Sequence, residues 1–306
     1  MDDIYERLRG IIVPLLTPFD SDMDVDEESL RRLVNHVIEG GVDGIFVMGT
    51  TGEFQYLSHD AQRRAIEIVT DEVKDRVLTV AGVTGRSIEE TVRNLTALGT
   101  LSRRPHAAVV APLCYHSNRK LPQHMERLCG VSNFPLLLYN NIGIVRRRWK
   151  RKDIIPALVG RIAALEGVLG LKDSSGNLEY LTQVLSCRSP TFRVFQGEEV
   201  QIMHALKEGA AGAVPSMANI LPELFTSLYS SFRKGDLGVA ESYQQRVIAI
   251  RKLYPDLSLV SRILKGYLRR QGIIASDRSY VPEDKRIPVA VDEIEEEVLS
   301  LAHNKA

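Results

Sequence analysis

The sequence predicts an α/β fold, a (β/α)8 (TIM) barrel with a C-terminal helical extension, and three observations carry that expectation. Eight short β-rich runs alternate with segments of helix-period apolar spacing from residue 11 onward. Several of the runs, Leu136-Leu137-Leu138 among them, are apolar at consecutive positions, as parallel strands covered on both faces are. No G-x-G-x-x-G or Walker sequence follows the first run, so the signature of an open nucleotide-binding sheet is missing. A closed barrel is therefore favoured over a doubly wound sheet.

The first run covers Ile11 to Phe19. Leu30, Leu33, Val34, Val37 and Ile38 then recur at helical spacing, and Gly40-Gly41 supplies the stop signal. Gly44 to Met48 is the second run, followed by Ser58-His59-Asp60-Ala61, a capped helix start that leads into Ala65, Ile66 and Val69. After Val77 to Val83, Ser87 opens a helix with Glu89 and Glu90 in its first turn, where the helix dipole favours acids. Ala107 to Ala111, Pro135 to Tyr139, Val168 to Lys172, Phe192 to Phe195 and Gly212 to Val214 complete the set. Beyond them lie helical patterns at Leu221 to Phe232, Val239 to Leu253, Leu259 to Arg270 and Val291 to Ala302, punctuated by Pro255, Gly272 and Pro282. We expect residues 1–220 to form the barrel. Residues 221–306 would then supply its final helix and a helical extension packed on the barrel or on a neighbouring subunit.

Composition bounds the function. Lys plus Arg equals Asp plus Glu at 39 each, so no global field favours nucleic acid or membrane surfaces. Cys114, Cys129 and Cys187 are scattered without a C-x-x-C spacing, which points away from a disulfide framework or zinc site and towards a reducing cytoplasm. The N-terminus is charged from the start and no apolar run approaches about 18 residues, so neither a signal peptide nor a membrane span is expected. His36, His59, His106, His116, His124, His204 and His303 form no close ligand pair, and no metal is expected.

A barrel of this kind places its active site at the C-terminal strand ends. Lys172 closes the sixth run and precedes the polar turn Asp173-Ser174-Ser175-Gly176. A buried amine is freed to attack a carbonyl and form a Schiff base, whereas a lysine that snorkels out or pairs with Asp173 does neither. Taken alone, Lys172 fits both. Period-two alternation puts it on one face with Gly170, a small residue that would leave room for the stem, and turns Leu169 and Leu171 away. The second run ends in Gly49-Thr50-Thr51-Gly52-Glu53, whose amides and hydroxyls suit a carboxylate, although a plain tight turn reads the same way. The fifth ends in Tyr139-Asn140, a phenol able to relay protons or to sit satisfied in a core. The eighth carries Val214-Pro215-Ser216.

Together with Val13-Pro14 to Thr17-Pro18-Phe19, Gly170-Leu171-Lys172-Asp173, Gln196-Gly197-Glu198 and the stretch from Gly209 through Asn219, these motifs make the chain resemble the dihydrodipicolinate synthase and N-acetylneuraminate lyase superfamily. The resemblance spans nearly the whole chain. It implies a class I aldolase or dehydratase that needs neither cofactor nor metal, with a 2-keto acid such as pyruvate and an aldehyde as its small-molecule partners. It further implies that Lys172 is the Schiff-base lysine, that Tyr139 shuttles protons with Thr50, and that Thr51, Gly49, Gly197 and Val214 line the substrate. The assembly it implies is a homotetramer.

The sequence departs from the synthase branch at three places. Pro112-Leu113-Cys114-Tyr115 stands where that branch resembles Pro-Tyr-Tyr, leaving Tyr115 as the candidate for the relay tyrosine. Asn141-Ile142-Gly143-Ile144 replaces a proline and a substrate-binding arginine, so that Arg146 is the first arginine available. Asp173-Ser174-Ser175 looks more like the sugar-acid aldolases and dehydratases than the synthases. The expected reaction is therefore aldol cleavage, or dehydration, of a 2-keto-3-deoxy sugar acid. The alternatives are condensation of pyruvate with aspartate semialdehyde and a barrel that binds a keto acid without turnover. The basic run Arg146 to Lys152 reads as a solvated loop, with recognition of a phosphorylated or multiply acidic substrate, or of nucleic acid, as the alternatives.

Overall fold

The computed structural model of the chain describes residues 2–111, 118–141, 153–254 and 259–280, with Glu293, Glu296 and Ser300 of the C-terminal segment. Eight strands form a closed barrel in sequence order: β1 (Gly10–Pro14), β2 (Gly44–Val47), β3 (Leu78–Gly82), β4 (Ala107–Val110), β5 (Leu136–Asn140), β6 (Val168–Asp173), β7 (Arg193–Gln196) and β8 (Gly212–Ala213). Each is parallel to the next, and β8 pairs with β1. Between them run α2 (Glu27–Glu39), α3 (His59–Val73), α4 (Ile88–Leu98), α5 (Leu121–Val131), α6 (Pro156–Ala163), α7 (Leu178–Leu185) and α8 (Ile202–Lys207). The caps read from sequence are in place: Ser58 accepts from the Ala61 amide, Ser87 from the Glu90 amide, and Gly41 follows α2 at φ 80°.

Two apolar layers result from strand alternation. Residues such as Ile11, Val13, Ile45, Val47 and Leu138 face outward to the helices, whereas Ile12, Phe46, Val80, Val109, Leu137 and Phe195 fill the barrel interior. The interior is thus a packed core, and polar chemistry is confined to its rim.

The first run proves shorter than the sequence predicts. β1 stops at Pro14, because the Leu16 amide turns to the Asn219 side chain at 3.0 Å instead of continuing the ladder. An N-terminal helix, α1 (Asp2–Arg7), had no place in the sequence reading; Ile4, Tyr5 and Leu8 close the interior at the end where the strands begin. Six residues with a mixed, charged composition hide that role, since Ile4 and Tyr5 are the only apolar residues among them. After β8 come α9 (Pro222–Lys234), α10 (Leu237–Leu253) and α11 (Val260–Arg270). Of the expected helix at Val291 to Ala302, only the helical Glu293, Glu296 and Ser300 lie within the described residues. No helix among the described residues is long and apolar enough to cross a membrane.

Candidate active site

β5 and β6 carry the centre of the site, and an irregularity in their pairing sets it up. Leu136 pairs with Val168, but Leu137 pairs with Gly170, so β6 contributes one extra residue. The consequence is the register Tyr139 to Lys172 and Asn140 to Asp173. Without the extra residue, Tyr139 would stand opposite Leu171 and Lys172 opposite Asn140 on the outer face, since a one-residue slip exchanges faces. The same irregularity corrects the alternation read from sequence: Leu171 faces out as expected, but Leu169 joins the interior layer. Gly170 also has a different reason to be glycine. A β-carbon there would lie 2.2 Å from the Arg193 carbonyl oxygen, so the residue admits the neighbouring strand rather than the lysine stem.

Lys172 is 8% exposed, which excludes snorkelling. Asp173 does not pair with it. Its carboxylate points to the other face, where it accepts from Asn140 Nδ2 at 2.9 Å, the Ser175 amide at 3.0 Å and Ser175 Oγ at 2.9 Å. Lys172 Nζ lies instead 4.4 Å from the Tyr139 ring centroid and 5.3 Å from that of Phe46, and makes no hydrogen bond or ion pair among the described residues. Below it is a small apolar cavity of about 20 Å³ bounded by Phe46, Leu137, Phe195 and Val214, with room for about one water.

The Tyr139 hydroxyl is within 3.2 Å of Thr50 Oγ1 and accepts from Asn141 Nδ2 at 2.7 Å. Burial pushes this phenol up, but the adjacent Lys172 charge, with hydrogen bonds to Thr50, Asn141 and Ser174, outweighs it and holds the group below the ordinary tyrosine value. Thr50 is bracketed by a tight turn in which the Gly52 amide donates to the Gly49 carbonyl and the Glu53 amide to the Thr50 carbonyl. Neither the Thr50 nor the Thr51 amide finds an acceptor among the described residues. Gly197 abuts the lysine: its amide donates to Asp173 O at 2.6 Å, and a β-carbon would sit 3.1 Å from Lys172 Cε and 2.0 Å from Ser174 Oγ. At the β7–β8 rim, the buried Glu199 takes Ser216 Oγ and the Met217 amide at 2.6 Å each.

The structure therefore brings together Lys172, Tyr139, Thr50, Thr51, Gly49, Gly197 and Val214. Tyr115, Arg146 and the basic run to Lys152 lie outside the described residues. Asn141, Ser174, Phe46 and Glu199 were not singled out from sequence; of these, Asn141 and Ser174 each follow a singled-out residue closely and could have been found by asking what orients it. Among the described residues no three His, Cys, Asp or Glu side chains group so as to hold a metal ion.

The family model for the dihydrodipicolinate synthetase family matches residues 7–292. The chain belongs to that family. Its members are enzymes of the lyase type. Similar proteins include a 4-hydroxy-tetrahydrodipicolinate synthase of Thermus thermophilus, 36% identical over 273 residues that cover 88% of each chain. A probable 2-dehydro-3-deoxy-D-pentonate aldolase of Escherichia coli K12 is 29% identical over 270 residues, 83% of this chain and 86% of that one. Among solved structures, the Escherichia coli K12 prophage protein YagE, a member of the dihydrodipicolinic acid synthase family in complex with pyruvate, superposes with a TM-score of 0.85. It is 25% identical, and the match covers 97% of this chain and 98% of YagE.

Proposed function

We propose that the chain is a Schiff-base lyase in which Lys172 captures the C2 carbonyl of a 2-keto acid, and that its reaction is aldol cleavage, or dehydration, of a 2-keto-3-deoxy sugar acid. One observation carries the reading: a buried amine with no hydrogen-bond or ion-pair partner among the described residues stands against a phenol that its charge holds easier to ionise. Lys172 Nζ forms the new C–N bond. The attached nitrogen passes one proton to the former carbonyl oxygen and Tyr139, in contact with Thr50, supplies a second, so that the oxygen leaves as water, the iminium remains and Tyr139 is left as the phenolate. The Thr50 and Thr51 amides hold the carboxylate. Cleavage then breaks the C3–C4 bond as the Tyr139 phenolate takes the proton of the C4 hydroxyl. The electron pair passes into the iminium to leave an enamine and an aldehyde, and protonation at C3 followed by hydrolysis frees pyruvate.

The aldolase among the similar proteins and the Asp173-Ser174-Ser175 sequence support a sugar-acid substrate. The synthases among them support condensation of pyruvate with aspartate semialdehyde. The deciding assay offers 2-keto-3-deoxy sugar acids and, separately, pyruvate with aspartate semialdehyde. Pyruvate release, or loss of water, from the former is expected; condensation alone assigns the synthase reaction. Activity is expected to survive EDTA, and its loss would indicate a metal-dependent enzyme. We place the protein in the cytoplasm as a homotetramer, in keeping with its scattered cysteines and the resemblance of its sequence.

A further inference from the structure

We infer that Glu53 and Lys265 form a buried clamp that positions the Thr50-Thr51 cradle, making α11 of the C-terminal extension part of the keto-acid site. The inference rests on the reading of Lys172 and the cradle given above. Lys265 Nζ lies 2.5 Å from Glu53 Oε1, with side chains 0% and 1% exposed. The ammonium also donates to Arg278 O at 2.9 Å and stands 3.9 Å over the Phe19 ring. The second carboxylate oxygen accepts from Ser279 Oγ at 2.9 Å and the Tyr280 amide at 2.7 Å. Both charges are thus saturated with partners.

A buried ion pair is a poor device for stability alone, because desolvation offsets its attraction and an apolar pair of similar volume would serve as well. It does fix a geometry. Glu53 ends the cradle turn in the left-handed region, φ 60° and ψ 26°, which a residue with a β-carbon resists. One helical turn before Lys265 on the same face of α11, Ser261 Oγ donates to Thr51 O at 2.9 Å. From the barrel side, Thr17 Oγ1 donates to Gly52 O at 2.8 Å. Thr51, Gly52 and Glu53 are each tied down from behind, and the front of the turn is left with the Thr50 hydroxyl against Tyr139 and two amides that find no acceptor among the described residues. Orientation of such donors is where small displacements cost most. Glu53 and Lys265 are therefore positioning residues for carboxylate binding and do not touch the reacting atoms.

The test measures borohydride-trapped adduct against pyruvate concentration for the wild type, Lys265→Met and Ser261→Ala, with circular dichroism to establish folding. In folded variants the pyruvate concentration for half-maximal adduct should rise, about tenfold or more for Lys265→Met and about three- to tenfold for Ser261→Ala, as expected for one lost hydrogen bond. The limiting yield at saturating pyruvate should stay near that of the wild type. A folded variant with lower thermal stability but unchanged half-saturation overturns the clamp. If Lys265→Met does not fold, Ser261→Ala decides by the same criterion. A wild type that forms no adduct at Lys172 overturns the Schiff-base reading, and the clamp's role with it.

Discussion

At Tyr139 two influences oppose each other, and the weaker-looking one is decisive. Burial disfavours the phenolate, yet the Lys172 charge and three hydrogen bonds together leave the hydroxyl below its usual value. Lys172→Ala removes the charge that favours the phenolate, so Tyr139 should titrate at higher pH than in the wild type. Tyrosinate absorbance of Lys172→Ala against Lys172→Ala/Tyr139→Phe reads that group alone, and a titration unmoved from the wild type contradicts the coupling. Gly197 offers a second residue-scale check. Its missing β-carbon would lie 2.7 Å from the Asp173 carbonyl oxygen as well as close to the lysine stem. Gly197→Ala is expected to destabilise by about 1–3 kcal/mol and to lower the trapping rate at Lys172, measured by urea unfolding and timed borohydride reduction. Lys172 and Tyr139 stand out in the sequence because each closes an apolar run with a polar group, but the run alone leaves each ambiguous and the family resemblance is what favours them as site residues. The Glu53–Lys265 pair does not stand out, since its members are 212 positions apart and no local pattern joins them.

At the scale of elements, the β5–β6 seam does two jobs back to back. Tyr139 and Lys172 face inward, while Asn140 and Asp173 lock the strand ends from outside, with Asn140 also bonded to Asp153 at 2.9 Å. Burial first, and the Asp153 charge last, push the Asp173 carboxyl up to about 6 against its hydrogen bonds from Asn140 and Ser175. A raised carboxyl binds its proton more tightly in the folded chain than in the unfolded one. The resulting stabilisation is complete below about pH 4 and is lost as pH rises through about 6. The stability of the wild type relative to Asp173→Asn should therefore fall between pH 4 and 6, by on the order of 2–3 kcal/mol, as followed by denaturant unfolding at each pH. A difference that is flat, or that rises, contradicts the assignment. Strand positions were readable from runs of apolar residues, but the extra residue in β6 was not. Alternation assumes an unbroken ladder, and Leu169 is apolar enough to sit on either face.

For the whole molecule, closure of the barrel converts eight locally readable units into one rim on which the candidate residues meet. The order and type of those units followed from periodicity and caps. The plug by α1 and the grip of α11 on the cradle depend on contacts between chain ends and middle, which periodicity does not encode. A tetramer is expected at four times the 34.2 kDa chain in sedimentation equilibrium, and a purely monomeric active species contradicts it. The most direct measurement is borohydride reduction in the presence of pyruvate, followed by peptide mass mapping. Lys172 is expected to carry the reduced pyruvate adduct, with none in Lys172→Ala. A catalytically active protein in which Lys172 remains unmodified contradicts the proposed chemistry.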